Sequence, residues 1–497
     1  MNSTLLRQVL AALALLILAA PAEAELVVTT AADLHALDGA CSFREALEAV
    51  NSGAAVNECT DTAGTNSGQY NFIVFNIPGS GVKTISLQSP LPGIFNRLLI
   101  DATLQAPACA PVPNLGIELV NGNNLTGDGL QLLAGSDYSI IGGLAISGFA
   151  NGAGIKIDSN HVLLGCDLIG TDATGMIAHS NLIGVRVTGS EVYVGKAASD
   201  AWLPNLIAGN SKNVQIDGSA VNAHVAGNYI GVDASGLATL LPGSAAILIQ
   251  GNGTRIGFGA DTGPTARTRN IVSGGITMGG LHTIVAGNYI GVGFDGHTPL
   301  LSGGQIVVNS GDDLTLIGCD GTADWDDCRN VIANPDSAAI LDKVATSDVT
   351  TVAIVSNFIG VAADGITLTG THDGITFKGG TALVARNLIR TSGTGIFLGP
   401  DPQSGIHTTF LNNTMVGPNG ATLDSSDNCL QGNTFGVLTP DPVPTTFAGN
   451  WWGAADGPSG SNGGSGDYAS SDVAVTPFLT APSVYCARNA IFANSFE

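Results

Sequence analysis

A nine-residue phrase recurs along the chain at nearly constant intervals. The copies begin at residues 167, 228, 288 and 357 and read DLIGTDATG, NYIGVDASG, NYIGVGFDG and NFIGVAADG. Their starts lie 61, 60 and 69 residues apart (167 to 228, 228 to 288 and 288 to 357). Repetition at a period of this length is typical of solenoids, in which each structural unit stacks on the one before it.

A second phrase alternates with the first. It begins at Asn205, Asn270 and Asn330, with steps of 65 and 60 residues (205 to 270 and 270 to 330), and further copies at Asn181 and Asn387 lie outside this spacing. Asn tolerates the left-handed backbone of a tight turn. A repeat of about 60 residues predicts two or three coils. We therefore expect residues 116–458 to form parallel strands in stacked coils, with asparagines hydrogen-bonded along the axis.

The composition supports an all-β solenoid. Only 11% of the 497 residues are charged, whereas 44% are hydrophobic and 68 are glycines. Disordered chains have the opposite balance, and so many glycines would be costly inside helices. A single compact core stops growing near about 250–300 residues, but a solenoid grows in one dimension. The predicted fold is a right-handed parallel β-helix.

The first 24 residues have the pattern of an export signal. Arg7 precedes an apolar stretch over residues 9–20, and Ala22-Glu23-Ala24 has the small-x-small pattern of a cleavage site. The stretch is too short for a membrane span, which needs about 20 apolar residues. We expect a mature protein that begins near Glu25, has no transmembrane segment, and is secreted or lies on the outer cell surface.

All eight cysteines lie beyond this signal, and an even number in an exported chain predicts disulfides. Their connectivity cannot be read from the sequence as a whole. Two local pairs are the best candidates, Cys319 with Cys328 and Cys41 with Cys59. No zinc-like spacing of Cys and His occurs.

The formal net charge is −23, from 17 Lys and Arg against 40 Asp and Glu. Binding to phosphate backbones needs clustered basic residues, so nucleic acid is not an expected partner. Repulsion also disfavours an anionic membrane surface. The acidic surplus suits solubility or divalent cations.

A short capping helix is predicted at the N-terminus, over residues 43–50. Ser42 and Glu45 have the spacing of a capping box. Phe43, Leu47 and Val50 fall on one helical face. This face can cover the first coil, whose exposed strand edges would otherwise invite aggregation.

Both ends of the chain resemble a known family. The segment Cys41-Ser-Phe-Arg-Glu-Ala resembles the CSLREA motif of bacterial exported β-helix proteins, with Phe43 in place of Leu. Asn450-Trp-Trp-Gly, followed by Gly-Pro and Pro-Phe-Leu, resembles the ending of right-handed β-helix repeat proteins. Together with the signal and the repeats, these end motifs divide the chain into four parts: signal 1–24, cap and first coils 25–115, repeats 116–458, and C-terminal cap and tail 459–497. The resemblance implies no catalytic residue.

The tryptophans of that ending, Trp451 and Trp452, have two interpretations. They can cover the last coil or stack on sugars. We favour the cap, because large aromatic side chains more often fill cores than bind ligands.

Catalytic patterns of β-helix polysaccharide enzymes are not present as a set. A lyase needs a Lys or Arg base with calcium, and an inverting hydrolase needs two spaced carboxylates. The nearest approach is the adjacent pair His372 and Asp373, which could serve acid–base chemistry. Adjacent residues in a strand point to opposite faces, so cooperation would need a turn. A solvated turn is the favoured interpretation.

The segment between Cys319 and Cys328 is unusually acidic. It contains Asp320, Asp324, Asp326 and Asp327, together with Trp325. Oxygen ligands at this density can bind Ca²⁺, the one cofactor that the sequence raises. A solvated acidic loop is the competing and favoured interpretation. Trp325 is a candidate for sugar stacking or for covering the neighbouring coil.

Two functions remain open at this stage. The first is a non-catalytic exported protein for adhesion or recognition of a polysaccharide or cell-surface glycan. The alternative is a polysaccharide-active enzyme, a lyase or glycoside hydrolase, with an unrecognised site. Convergent Asp, Lys, Arg or His side chains on one exposed strand face would favour the enzyme. Ladders of Asn, Thr and Ser without such a cluster would favour binding.

Overall fold

The structure is a computed structural model. It describes the following residues: 25–60, 71–105, 115–195, 204–240, 245–259, 263–264, 268–301, 304–309, 315–319, 325–333, 338–343, 351–367, 369, 372–377, 381–398, 427–439, 445–483 and 486. Within these ranges, no helix is long and apolar enough to cross a membrane.

Three parallel sheets run side by side along the chain. Each full coil contributes one strand to each sheet in turn, as in Ile140–Gly142, Leu144–Ser147 and Ala153–Ile157. The next coil repeats the order and pairs residue for residue, so that Ile141 lies beside Leu164. The chain is therefore a parallel β-helix solenoid, as predicted.

The first sheet has twelve strands and the second has twelve. The strands of the first sheet are Glu25–Val28, Asn71–Phe75, Leu98–Asp101, Ile140–Gly142, Leu163–Leu164, Tyr193–Gly195, His224–Ala226, Arg255–Ile256, Ile284–Val285, Thr315–Gly318, Thr351–Val355 and Thr381–Ala385. The strands of the second sheet are Lys83–Leu87, Ile117–Asn121, Leu144–Ser147, Leu168–Ile169, Leu206–Ile207, Tyr229–Ile230, Ile271–Val272, Tyr289–Ile290, Val331–Ile332, Phe358–Ile359, Leu388–Ile389 and Cys429–Leu430.

The third sheet has thirteen strands. They are Leu130–Leu132, Ala153–Ile157, Ile183–Val187, Lys212–Ile216, Ala245–Ile249, Gly275–Met278, Ile306–Val308, Ala338–Asp342, Asp373–Phe377, Thr394–Leu398, Phe435–Leu438, Gly466–Ala469 and Pro458–Gly460. Two small pairs lie outside the sheets, Phe258–Gly259 with Gly263–Pro264 and Thr445–Thr446 with Val473–Ala474. The first two sheets begin at Glu25 and Lys83, so parallel strands already occur before residue 116, where the predicted repeat region starts.

The 60-residue repeat corresponds to two coils. The two phrases mark alternate coils of one stack, because the strands that follow Asn205 and Asn228 are neighbours in the second sheet. Asn387 also belongs to this stack, since its strand pairs with that of Asn357. Asn181 does not. It precedes a strand of the third sheet, although its Asn-Leu-Ile-Gly sequence looks like a further copy.

Equivalent asparagines form a buried ladder at the corner between the first and second sheets. Each except the last donates from Nδ2 to Oδ1 of the asparagine in the next coil, over 2.9–3.1 Å. The ladder asparagines are Asn205, Asn228, Asn270, Asn288, Asn330, Asn357, Asn387, Asn428 and Asn450. All have 0% exposure, so the predicted structural role is confirmed.

The second sheet is buried on both faces. Its inner face packs into the solenoid core, and its outer face is covered by turns that follow the first phrase. These turns close as narrow antiparallel bridges, such as Val232 with Thr239, and they stack on one another two coils apart. The amide of Ala234 donates to Gly175 O of the preceding turn at 3.0 Å. This double burial explains why the phrase is apolar at consecutive positions.

A helix caps the N-terminal end. It spans Phe43–Ser52, two residues longer than predicted, and ends at Gly53, which has left-handed backbone. Ser42 Oγ accepts from the Glu45 amide at 3.2 Å, and Glu45 Oε2 accepts from the Ser42 amide at 3.0 Å. The predicted capping box and buried face are therefore confirmed, and Phe43 packs against Phe75 with ring centroids 5.4 Å apart.

The two tryptophans of the C-terminal ending are buried. Trp452 is 0% exposed and Trp451 is 7% exposed. Trp451 Nε1 donates to Gln431 Oε1 at 3.2 Å. Rings buried to this degree cannot stack on a sugar, so the cap interpretation is confirmed.

Both predicted local disulfides are present. Cys41 joins Cys59, and Cys319 joins Cys328. A third joins Cys429 to Cys486 across 57 residues, which the sequence did not predict. Within the part of the chain that the structure describes, the one helix inside the repeat region is the single turn Trp325–Cys328.

Candidate functional site

The outer face of the third sheet carries a row of polar side chains in register. Gln131, Lys156, Arg186 and Gln215 occupy equivalent positions on four successive strands. Side chains alternate across a strand, so these residues point outward while their neighbours, such as Ile155, fill the core. We call this row, together with the adjoining Asp158, Thr188, Lys212 and Asp217, the polar face.

Asp158 is one of two carboxylates on the polar face. It accepts from Lys156 Nζ at 2.9 Å, from Gln131 Nε2 at 3.1 Å and from Thr188 Oγ1 at 2.5 Å. Partial burial acts to raise the pKa of Asp158, but these hydrogen bonds and the Lys156 charge outweigh it and hold the pKa below its ordinary value. Asp158 is therefore ionised at neutral pH.

Asp217 is the second carboxylate. Arg186 donates to its Oδ2 from Nε at 2.8 Å and from Nη2 at 2.7 Å, and Gln215 Nε2 donates to Oδ1 at 2.6 Å. The Arg186 side chain stays 40% exposed and that of Asp217 15%. Lys212 Nζ donates to Gln215 Oε1 at 3.1 Å, which links another strand position to the network.

This arrangement holds hydrogen-bonding groups at fixed positions on a rigid sheet. Asp158 and Asp217 are two coils apart, so their backbones are separated by about 10 Å. That separation is near the upper limit for the carboxylates of inverting glycosidases. A general acid, however, needs a raised pKa, whereas that of Asp158 is lowered. The geometry favours binding of polar groups over proton transfer by Asp158.

The row continues toward the C-terminus with mainly apolar residues. The equivalent outward positions are Leu248, Thr277, Val307, Leu341, Thr376 and Phe397, all partly buried. The third sheet therefore presents a polar half and a mainly apolar half along one line.

His372 and Asp373 are in contact. His372 lies at a bend before the strand Asp373–Phe377, and its Nδ1 is 3.2 Å from Asp373 Oδ2. Asp373 Oδ1 accepts from the Thr394 amide at 2.7 Å. The bend supplies the turn that cooperation would need, but the His372 side chain is 61% exposed. The pair also lies five coils beyond the strand of Gln215, about 24 Å away.

The acidic loop is closed by its disulfide, but only part of it can be described. Asp320 and Asp324 lie outside the described residues, as do the side chains of Trp325 and Asp326. Among the residues that the structure describes, no group of three or more His, Cys, Asp or Glu side chains is placed to hold a metal ion. The calcium site and the sugar-stacking role of Trp325 remain predictions.

Asp327 of this loop faces a buried cation. Burial lowers the pKa of Arg269, and interactions with Tyr289 and Asp327 oppose that shift. The Arg269 guanidinium lies over the Tyr289 ring, 4.4 Å from its centroid. Asp327 thus interacts electrostatically with a cation of the protein itself.

An aromatic column lies at the turns that precede the strands of the first sheet. Tyr138 stacks on His161 with centroids 4.4 Å apart, and Arg97 lies 5.2 Å from the Tyr138 centroid. Arg97 comes from the preceding coil and His161 from the following one, so both ring faces are covered. Although Tyr138 is 49% exposed, its faces are not free to stack on a sugar.

Comparisons with known proteins add nothing to this geometry. The chain matches no protein-family model, no curated protein and no solved structure.

The polar face was not predicted from the sequence. Its only local signal is a charged residue between two isoleucines, as at Lys156, and this signal does not show which strands become neighbours.

Proposed function

We propose that this protein is an exported, non-catalytic β-helix that binds an extended glycan chain along the polar face. The observation that carries the proposal is the in-register row Gln131, Lys156, Arg186 and Gln215, which is partly exposed and is held by two hydrogen-bonded clusters, one around Asp158 and one around Asp217.

The chemistry of the face suits a hydroxyl-rich ligand. Amide, ammonium, guanidinium and carboxylate groups offer both donors and acceptors to sugar hydroxyls. Their mutual hydrogen bonds restrict their side-chain motion before a ligand arrives, which lowers the entropic cost of binding. A parallel sheet repeats these positions at about 4.8 Å, so a linear polymer can lie along several coils.

The proposed location outside the cytoplasm rests on separate support. Disulfides such as Cys41–Cys59 and Cys429–Cys486 persist in oxidising compartments. The export signal and the resemblance to CSLREA proteins agree with this proposal.

Binding of the mature protein to a glycan array, followed by titration of the best ligand, tests the function. Arg186→Ala removes one charged donor and should weaken binding about 10- to 100-fold, because such a hydrogen bond contributes about 1.5–3 kcal/mol. Arg255→Ala is the matched control, since Arg255 is exposed on the first sheet. Equal affinity of both variants and the native protein would exclude the polar face as the site.

One observation favours the alternative of a polysaccharide-active enzyme. The two carboxylates, Asp158 and Asp217, pair with Lys156 and Arg186 on one partly exposed face of the third sheet. Reducing ends and unsaturated products are therefore measured with each glycan that binds. If the native protein releases such products and Asp217→Asn still binds the glycan but releases none, the protein is an enzyme and not only a binding protein.

A further inference from the structure

The asparagine ladder begins with an aspartate. Asp167 occupies the ladder position of its coil, because Leu168 pairs with Leu206 and Asn205 precedes that strand. Its amide donates to Asn205 Oδ1 at 3.0 Å, just as the amide of Asn205 donates to Asn228 Oδ1 at 3.2 Å. Asp167 is 0% exposed.

The ladder asparagines define what each side-chain atom contacts. Oδ1 accepts from the preceding coil. Nδ2 donates to the next Oδ1 and to a first-sheet carbonyl, as Asn205 Nδ2 does to Asn228 Oδ1 at 3.0 Å and Leu164 O at 3.2 Å. The same carbonyl position recurs on successive coils, for example at Val194 for Asn228.

As an ionised carboxylate, Asp167 could make the Oδ1 contact of a ladder asparagine but not the contacts that Nδ2 makes as a donor. Its Oδ1 accepts from the Leu144 amide at 3.0 Å, which is the normal role. By analogy with the asparagines, Oδ2 corresponds to Nδ2, whose acceptors in this coil would be Asn205 Oδ1 and the carbonyl of Ile141, the partner of Leu164. Both are acceptors. Oδ2 is buried and has no hydrogen-bond partner among the described residues.

We propose that Asp167 is held as a neutral carboxylic acid whose Oδ2 hydroxyl donates into the asparagine ladder, and that this proton makes the start of the ladder sensitive to pH. An ionised Oδ2 would place a charge against two acceptors in a site with no solvent exposure. A protonated one supplies the donor that every later coil obtains from an asparagine.

The electrostatic surroundings agree with this assignment. Burial raises the pKa of Asp167 well above its ordinary value, and the amides of Leu144 and Gly143 only partly oppose that shift. No charged side chain among the described residues contributes to the shift. The neighbouring Cys166 is disulfide-bonded and does not titrate.

The consequence for stability follows from proton linkage. An unfolded Asp loses its proton near pH 3.9, whereas folded Asp167 keeps it to higher pH. Between these two pKa values the folded protein binds one proton more, so rising pH favours unfolding. The unfolding equilibrium constant of this region increases about tenfold per pH unit until the folded pKa is passed. The stabilisation is fully present only below about pH 4.

Infrared spectroscopy of the native protein with ¹³C-labelled aspartate side chains tests the protonation directly. At pH 6 we expect the carbonyl band of a protonated carboxylic acid, and Asp167→Asn should remove the Asp167 contribution to this band. If that variant does not fold, Asp467→Asn serves instead. The pKa of Asp467 is also raised, chiefly by burial, and a band that survives its removal belongs to Asp167. Absence of any such band at pH 6 would overturn the proposal.

Thermal unfolding tests the pH dependence. Asp167→Asn restores the amide of the other coils, so its melting temperature should exceed that of the native protein at pH 7–8 and match it near pH 4. Asp172→Asn is the control of opposite sign, because the folded pKa of Asp172 is lowered. Equal or lower stability of a folded Asp167→Asn at pH 7 would contradict the pH-sensitive role.

Discussion

Replacing Asn288 with Ala should open the ladder in the middle of the solenoid. Asn288 Oδ1 accepts from Asn270 Nδ2 at 2.9 Å and from the Asn270 amide at 3.3 Å. Its Nδ2 donates to Asn330 Oδ1, Ile256 O and Ala286 O over 2.9–3.1 Å. Alanine removes all of these bonds within a site of 0% exposure.

The magnitude follows from which groups lose their partners. Asn270 Nδ2 keeps its bond to Val225 O at 2.9 Å, and Ile256 O keeps the Ala286 amide at 3.0 Å. The Asn270 amide loses the acceptor that it has in the ladder. An unsatisfied buried donor costs about 1–3 kcal/mol, and each lost hydrogen bond about 0.5–1.5 kcal/mol net. We expect a loss of about 3–5 kcal/mol, since these contributions are not fully additive.

Hydrogen exchange read by mass spectrometry is the appropriate assay, because repeat proteins open locally and each coil contacts only its neighbours. Peptides that contain Asn270 and Asn330 should exchange faster, while peptides near Ile155 should not change. Asn309→Ala, at an exposed position, is the control. Unchanged exchange around Asn270, or the same change in Asn309→Ala, would refute the reasoning.

Three further predictions concern the cap, the acidic loop and the stacked turns. Ser42→Ala removes the acceptor of the Glu45 amide and should lower the free energy of unfolding by about 0.5–2 kcal/mol, measured by chemical denaturation. An unchanged denaturation midpoint would contradict the capping role. Millimolar Ca²⁺ should raise the melting temperature and give a calorimetric signal that joint replacement of Asp324 and Asp326 by Ala abolishes; no heat would leave a solvated loop. Asp172→Asn should destabilise at pH 7, and its effect should shrink as pH falls below about 3.9, the pKa of an unfolded Asp. Burial opposes ionisation of Asp172, but hydrogen bonds from Thr174 and neighbouring amides lower its pKa in the folded state. The stabilisation by the ionised carboxylate is therefore lost as pH falls through that folded pKa. Equal melting temperatures of the variant and the native protein at pH 7 would exclude this role.

Much of the fold could be predicted because its rules are local and repeated. The asparagine phrases occur at positions that require turn chemistry, and their period allows only a stacked architecture. The capping box at Ser42 and the pairing of Cys319 with Cys328 also involve residues close in the chain. Such features depend on backbone geometry over a few residues, which sequence patterns report directly.

The candidate site was not accessible in the same way. Asp158 and Asp217 are separated by 59 residues (158 to 217), and Arg186 lies between them in the sequence. They share a face only because strands Ala153–Ile157, Ile183–Val187 and Lys212–Ile216 are paired in one register. Loop lengths between coils vary, so the sequence does not reveal which outward residues become neighbours.

Asp167 shows most clearly which properties the sequence determines and which only the tertiary structure determines. The sequence by itself determined that a turn residue with a side-chain oxygen stands at the start of the repeat, because Asp and Asn serve the same local backbone. Only the tertiary structure determines the protonation state of that residue. Stacking on Leu144 and Asn205 buries the carboxyl completely and leaves Oδ2 without a hydrogen-bond donor among the described residues, and burial raises the pKa of the carboxyl. Ionisation depends on the dielectric and the partners around a group, and these exist only once the coils are stacked.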